Sequence, residues 1–375
     1  MIYIILTYLF SPLIYLLIAI KKKKTISRVL VIQTAKIGDL ICSTPVFREI
    51  KKKYPNVHLT VMVNPVTKEL LEYNPYVDNI ISLTPLNYKG FLGKLKLSNL
   101  IRRENYDIAI CLNPNVLFTI ALFWGLVPIR LSIMPNFTGF TFRMASVFFT
   151  NLQYHTAGRL IIETYMNILK AIGIDGSDLT KEVYKSEIAD KKAQEFLGSI
   201  NKPLIGIAVS SGNKLKELET EKIIKLIDIL LENMDIYVVL IGSSQDKNKA
   251  DIILNSNIHK DRIINATGMF GLGELPALIE RLSLFIGVDT GITYMANALS
   301  IPILHLAGPI DISEQRPIGE NVKIIWNKLP CVPCTYVFKA AYTCNNGTRK
   351  CITSIEIDDI VQAAKQILFR NNYAK

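Results

Sequence analysis

Eleven residues, Val29 to Asp39 (VLVIQTAKIGD), narrow the fold more than any other stretch of this chain. Val29 to Ile32 is an apolar run of strand formers. The chain then turns polar at Gln33 and Thr34, passes Gly38 and sets a single carboxylate at Asp39. Leu40, Ile41, Val46, Phe47 and Ile50 follow at three- and four-residue spacings, the period of an amphipathic helix. A buried strand feeding a helix through a short glycine loop opens a doubly wound α/β domain, whose ligands bind just beyond the carboxyl ends of the strands. Asp39 falls at such an end. Two roles are open to it: capping the helix that begins near Leu40, and acting as a reacting carboxylate.

The alternation continues. Val57 to Val63, Asn79 to Leu83, Tyr106 to Leu112 and Val127 to Ser132 read as strands; Val66 to Tyr73, Phe91 to Glu104 and Leu160 to Ala171 read as helices. Gly173 to Lys202 is polar and aperiodic and ends at Pro203, which reads as a linker. A second set then begins. Its strands are Leu204 to Val209, Ile236 to Ile241, Arg262 to Asn265, Leu284 to Val288 and Ile301 to Leu306. Its helices are Glu221 to Leu231, one from about Asp246, Leu272 to Leu282, Thr293 to Leu299 and Ile355 to Phe369. Strands spaced by helices imply parallel sheets made of βαβ units. The expected organisation is a segment at 1–24, a Rossmann-like domain at 25–180, a linker at 181–202, a second Rossmann-like domain at 203–354, and a helix at 355–375 packing back on the first domain.

The chain has 375 residues, half of them hydrophobic, and a formal charge of +11. That length is comfortable for two domains. The densest basic patches are Lys21 to Lys24 and Lys51 to Lys53, and no zinc-finger, helix-turn-helix or RNA-binding signature accompanies them. No nucleic-acid partner is expected; anionic lipid head groups and phosphorylated substrates suit this charge better. The first twenty residues, MIYIILTYLFSPLIYLLIAI, carry no charged side chain and are followed at once by four lysines. Twenty such residues are long enough to cross a bilayer core, and the lysines would keep the rest of the chain in the cytoplasm. The lack of a preceding basic region and of a small-residue cleavage site argues against a signal peptide. Pro12 would bend a straight helix, so a membrane anchor at 1–24 that spans and one that dips into a single leaflet both remain open.

Two phosphate-handling candidates lie in the second half. SSGNKLK, Ser210 to Lys216, follows a strand: Ser211 and Gly212 let backbone amides approach an anion, and Lys214 or Lys216 supplies charge. The GxxxxGK[ST] spacing of a P-loop is absent. GVDTG, Gly287 to Gly291, lies between a strand and a helix; Asp289 and Thr290 have N-cap chemistry, and a helix start offers amides and a positive dipole end to a phosphate. Both segments are also ordinary for a surface turn or a well-capped helix.

Taken in order and spacing, these segments resemble the heptosyltransferase family, glycosyltransferase family nine, over roughly residues 28 to 370. The likeness rests on Ile37-Gly38-Asp39 with Pro45, on the SSGNKLK loop with Lys216, and on Asp289-Thr290-Gly291 followed by Ala296, Ala298, Pro302 and Gly308-Pro309. The resemblance implies an α/β fold of GT-B type, two Rossmann-like domains with parallel sheets facing a central cleft. The first would take the acceptor and the second the nucleotide sugar. It implies inverting transfer of a sugar, heptose or similar, from a donor such as ADP-heptose to a lipopolysaccharide core or other surface glycan, with no cofactor or catalytic metal. The place implied is the cytoplasmic face of the bacterial inner membrane. Asp39 would be the base, with Lys36, Gly38, His155 and Arg159 on the acceptor side. Lys216, Ser211, Gly212, Asp289, Thr290, Gly291, Tyr294 and Asp246 would hold the donor, Asp246 at a ribose hydroxyl.

The chain departs from the family pattern at Tyr294, where a histidine is usual, and at Ala307, where an aromatic residue is usual. A tyrosine there can hydrogen-bond a sugar or phosphate but carries no charge near neutral pH. Cys331, Cys334, Cys344 and Cys351 give C-x2-C-x9-C-x6-C, partly the spacing of a zinc knuckle, so a structural zinc and plain reduced thiols are both expected states. His58 and His305 lie within strands and read as structural. Asn115 to Tyr154, rich in Phe, Leu and Met with Arg130 and Arg143, reads equally as core and as a surface meeting acidic glycolipid. Two other classes compete: a silent glycan- or nucleotide-binding protein of the same fold, and a nicotinamide oxidoreductase. The second lacks GxGxxG after the first strand.

Overall fold

The computed structural model describes residues 2–21 and 25–373, so Lys22 to Lys24 of the basic run lie outside the described residues. The chain forms two compact units, Met1–Thr180 and Lys181–Lys375.

The first unit opens with helix α1, Ile2–Lys21. Its six strands are β1 (Arg28–Gln33), β2 (His58–Val63), β3 (Asn79–Ser82), β4 (Ile108–Cys111), β5 (Ile129–Met134) and β6 (Asn151–Tyr154). Its other helices are α2 (Ile37–Lys53), α3 (Gly90–Glu104), α4 (Val116–Trp124), α5 (Phe140–Ser146) and α6 (Ile161–Asn167). All strand pairs are parallel, in the order β3-β2-β1-β4-β5-β6. The inner strands are buried on both faces, which is why β1 and β4 read as unbroken apolar runs instead of alternating ones.

The second unit has α7 (Glu187–Leu197), α8 (Thr220–Asn233), α9 (Lys247–Ser256), α10 (Leu275–Ile279), α11 (Gly291–Ala298), α12 (Lys350–Thr353) and α13 (Ile357–Tyr373). Its strands are β7 (Leu204–Ala208), β8 (Tyr237–Ile241), β9 (Ile263–Asn265), β10 (Leu284–Val288), β11 (Ile303–Ala307) and β12 (Val322–Trp326). They too are all parallel, in the order β12-β11-β10-β7-β8-β9. Counted within each unit, both sheets have the Rossmann order 3-2-1-4-5-6. The order reverses between β1 and β4 in the first and between β7 and β10 in the second.

Several expectations are corrected. The stretch read as a linker at 181–202 contains α7. Ser186 caps it by accepting from Ala189 N at 3.0 Å, and Ala189, Ala193 and Leu197 are buried. Small apolar residues at i, i+4 and i+8 make a narrow stripe, which a polar composition hides. The helix within 355–375, expected to pack on the first domain, belongs to the second unit. Ile360, Val361, Ala364 and Leu368 of α13 join Ile223, Ile227 and Leu230 of α8 in the second unit's own core. The Asn115 to Tyr154 stretch is mainly core: Phe118, Ile120, Ala121, Leu122 and Phe123 of α4 are all 0% exposed. Arg130 is buried too. Its guanidinium donates to the Phe148 carbonyl at 2.7 Å and to the carbonyls of Val127 and Pro128, so it is not a surface cation for a glycolipid. Arg143 is exposed and donates to Thr138 Oγ1 at 3.1 Å.

Candidate active site

In the first unit the candidate site forms at the carboxyl ends of β1 and β4, where the strand order reverses. Gln33, the last residue of β1, is buried and donates through Nε2 to Tyr165 OH at 3.2 Å. Thr34 accepts at Oγ1 from Asn113 Nδ2 at 3.0 Å, which ties the loop after β1 to the loop after β4. Asn115 caps α4 by accepting from Phe118 N at 3.0 Å. These polar residues hold the turn in which Lys36, exposed, precedes the buried Gly38 and the half-buried Asp39.

Asp39 stands in the first turn of α2 and accepts from Lys36 N at 3.2 Å. Capping and exposure therefore coexist at one side chain. Burial, together with the nearby Asp39 charge, raises the Tyr165 phenol well above its ordinary pKa of 10.0, so that hydroxyl stays protonated. His155, expected on the acceptor side, is buried after β6, and its Nδ1 lies 2.9 Å from Thr164 Oγ1 of α6. Arg159 is half-buried in the turn between β6 and α6.

The second unit repeats the placement with different chemistry. The SSGNKLK loop leaves β7, and Asn213 shapes it: Nδ2 donates to the Ala341 carbonyl at 2.8 Å while Oδ1 accepts from Leu215 N at 3.1 Å. Ser211 is buried, and among the described residues, its two chain neighbours apart, nothing comes within 4 Å of where a Cβ on Gly212 would stand. The glycine is not demanded by its own surroundings, which leaves open space for a ligand against the backbone. Lys216 ends this loop and pairs through Nζ with Asp289 Oδ2, across the reversal point between β7 and β10.

Of Asp289 and Thr290, both with N-cap chemistry, it is Thr290 that takes the N-cap position of α11. The Asp289 carboxylate instead receives Lys216 on one oxygen and the Tyr294 hydroxyl on the other, at 2.6 Å. Tyr294 is 2% exposed, so the residue expected to touch sugar or phosphate bonds the aspartate. Burial acts to raise the Asp289 pKa; Lys216, His305 and the bond from Tyr294 outweigh it and hold the carboxyl below its ordinary value. His305, in the middle of β11 and 0% exposed, is pushed down to about 4 by burial, and the neighbouring Lys216 charge adds to that. It is a neutral neighbour of the ion pair near pH 7. Gly287 of β10 is required by packing: a Cβ there would come within 2.5 Å of the Phe285 ring and 3.1 Å of Thr293 Oγ1.

Asp246 follows β8 and accepts from Ser243 N at 2.8 Å and Ser243 Oγ at 2.7 Å. Burial works to raise its pKa, but bonds from Ser210 and Ser243 prevail and lower it. It links the loops after β7 and β8.

The four cysteines Cys331, Cys334, Cys344 and Cys351 line one cavity of about 260 Å³. The loop amides after Cys344 lower its pKa, led by that of Arg349. Among the described residues, however, no three His, Cys, Asp or Glu side chains are grouped closely enough to hold a metal ion.

Gln33, Thr34, Asn113, Tyr165, Asn213 and His305 were not singled out from the sequence as site residues. The Asn113-Pro114-Asn115 break straight after an apolar strand was the available signal for Asn113. Tyr165 and His305 sit in apolar contexts and gave none.

The profile of glycosyltransferase family 9 (heptosyltransferase) matches residues 94–341. Lipopolysaccharide heptosyltransferase 3 of Escherichia coli K12 is 24% identical over 88% of this chain and 95% of its own length. Lipopolysaccharide heptosyltransferase 1 of Campylobacter coli is 24% identical over 91% and 98%. Among solved structures, the ADP-heptose heptosyltransferase II of E. coli superposes with a TM-score of 0.74 at 18% identity, covering 92% of this chain and 99% of that one. A family 9 glycosyltransferase of Veillonella parvula gives 0.75 at 23% identity, covering 93% and 99%. Two Rossmann-ordered parallel sheets, a family profile over most of the chain and relatives matched nearly end to end agree: the chain is a glycosyltransferase and belongs to family 9, the heptosyltransferases.

Proposed function

We propose that the protein transfers a heptose, with inversion and without a catalytic metal, from ADP-heptose to a lipopolysaccharide-core acceptor. The observation that carries this reading is position. Asp39, after the first strand of one sheet, and Lys216, after the first strand of the other, both stand at the strand-order reversal, where doubly wound sheets take their ligands. The names of the relatives, lipopolysaccharide heptosyltransferases, supply the substrate class.

In this reading Asp39 takes the proton of the acceptor hydroxyl as that oxygen attacks the anomeric carbon. The bond from the anomeric carbon to the diphosphate breaks, and the pair of electrons leaves with the diphosphate. Lys216, the open backbone at Ser211 and Gly212, and the amides at Thr290 and Gly291 face that growing charge. Asp289 and Tyr294 position Lys216 and do not touch the sugar. Asp246 holds a ribose hydroxyl, and Lys36, Gly38, His155 and Arg159 belong to the acceptor side. The reaction runs at the cytoplasmic face of the inner membrane.

Incubating the full chain with ADP-heptose and a core-truncated lipopolysaccharide tests the reading. Expected are release of ADP, an added heptose of inverted anomeric configuration, and an unchanged rate in EDTA. Retained configuration or loss of transfer in EDTA overturns the mechanism, and no transfer from ADP-heptose overturns the donor. A structural zinc at the four cysteines is a separate proposal, resting on their shared cavity; binding would have to draw the thiols together. Elemental analysis finding less than a tenth of an equivalent of metal in the purified protein removes it.

A further inference from the structure

α1 is, among the described residues, one helix long and apolar enough to cross a bilayer. Its contacts with the first unit argue against that path. Lys94 Nζ lies 4.0 Å over the Tyr3 ring, Ile4 is fully buried, and Thr7 Oγ1 accepts from Trp124 Nε1 of α4 at 3.0 Å. Tyr8 OH donates to the Met144 carbonyl of α5 at 2.7 Å, Tyr15 meets the Phe123 ring edge-on at 5.0 Å, and Ile18 joins the Phe123–Phe148 cluster. From residue 3 to residue 18, roughly 20 Å of axis, the helix is fastened to α3, α4 and α5. The opposite face of α4 belongs to the core of the first unit's sheet. A helix fastened along its length to a folded α/β unit cannot cross a bilayer unless that unit enters the lipid.

The face turned away from the unit has its own pattern. Ile5, Leu9, Leu13, Leu16 and Ile20 are 57, 69, 56, 59 and 75% exposed. Their spacings of four, four, three and four residues put them on one stripe. Leu92 of α3 and Phe140 of α5, 79 and 70% exposed, add apolar bulk on the neighbouring helices. The charges on these elements have one dominant sign. α1, α3, α4 and α5 carry Lys21, Lys94, Lys96, Arg102, Arg103 and Arg143 against the single acid Glu104.

We infer that α1 is an in-plane membrane seat: it lies along one leaflet of an anionic bilayer, its Ile5–Ile20 stripe in the acyl region and the exposed Lys96, Arg102, Arg103 and Arg143 of α3 and α5 at the head groups. An uncharged aliphatic stripe on a group of helices whose exposed charges are mostly cationic matches the chemistry of such an interface, and a helix of this kind sinks only part-way into it. The inference does not depend on the identity of the sugar transferred.

The test adds the full chain, with an N-terminal epitope tag, to preformed vesicles of phosphatidylcholine with 30% phosphatidylglycerol. Flotation is expected with the tag fully open to added protease, and binding at least tenfold weaker on pure phosphatidylcholine. A Leu9→Glu/Leu13→Glu/Leu16→Glu variant changes only outward-facing positions. It is expected to keep its melting temperature and its ADP affinity and to lose at least tenfold in vesicle binding. A tag that becomes protease-resistant on binding means a span and overturns the inference. So does flotation of the folded variant equal to wild type, and so does a wild-type dimer that ignores vesicles and is dissolved by the same substitutions. The tag readout on the wild type decides the matter even where the variant does not fold.

Discussion

The two sheets share one strand order and differ in what they put at its reversal point. In the first, neutral amides and hydroxyls of Gln33, Thr34, Asn113 and Tyr165 make the bonds, and the carboxylate of Asp39 is half-exposed. In the second, the carboxylate of Asp289 is 6% exposed and shared between a lysine and a tyrosine. In the proposed reaction the same fold address thus serves two opposite uses of an aspartate. A base must be reachable by the proton it takes. A carboxylate that holds a lysine works better out of water, where the pair is less screened. Topology sets where ligands meet a sheet; exposure of the acid sets what the acid does there.

The sharpest way to break this comparison is Asp39→Asn. Transfer should fall roughly a hundred- to ten-thousand-fold, the usual worth of a positioned base, while ADP affinity and melting temperature hold; calorimetric titration and a rate assay read both. Equal loss of ADP affinity would mean that the two reversal points are not chemically distinct. Next is Lys216→Ala, which leaves Asp289 buried without its cation. Unfolding free energy should drop by about 3 kcal/mol or more, and ADP should bind more weakly. Adding Asp289→Asn to a Lys216→Met background should restore stability but not ADP binding.

A pH series examines the buried side of the pair. His305 has an ordinary pKa of 6.5 and about 4 in the fold, so the unfolded chain takes up its proton first as pH falls. Stability is therefore full above pH 6.5 and declines towards pH 4, by about 3 kcal/mol in all. The lowered Asp289 carboxyl pulls in the same direction at lower pH. Urea midpoints should flatten over this window in His305→Gln. The smallest effect belongs to Tyr294→Phe, which deletes one bond to Asp289 and should lower stability by about 1 kcal/mol, with transfer reduced less than in Lys216→Ala.

Much of this was legible from the sequence because parallel strands buried on both faces announce themselves as apolar runs. β1, β4, β7, β8 and β10 were found that way, and the loops after β1, β7 and β10 gave the family. Two of the four edge strands are not marked in the sequence. β6 and β12 have exposed or half-buried residues and ordinary polar sequences, so no period marks them. α4 and α5 hid inside a stretch apolar on all sides, where helix and strand look alike. Within the site, the sequence named Lys216, Asp289 and Tyr294 but not their mutual bonds, since residues 73 positions apart meet only through sheet order. His305 was passed over because a histidine inside a strand has no local feature that reveals a charged neighbour on the adjacent strand's loop.

The Lys216–Asp289 contact also bears on turnover. A lysine already neutralised by its own protein presents little bare positive charge to the solvent, so stray inorganic phosphate finds a poor host there. In the proposed reaction a diphosphate must share that lysine with the aspartate for as long as it stays. The same rivalry would loosen the hold on spent nucleotide as well as on the incoming donor.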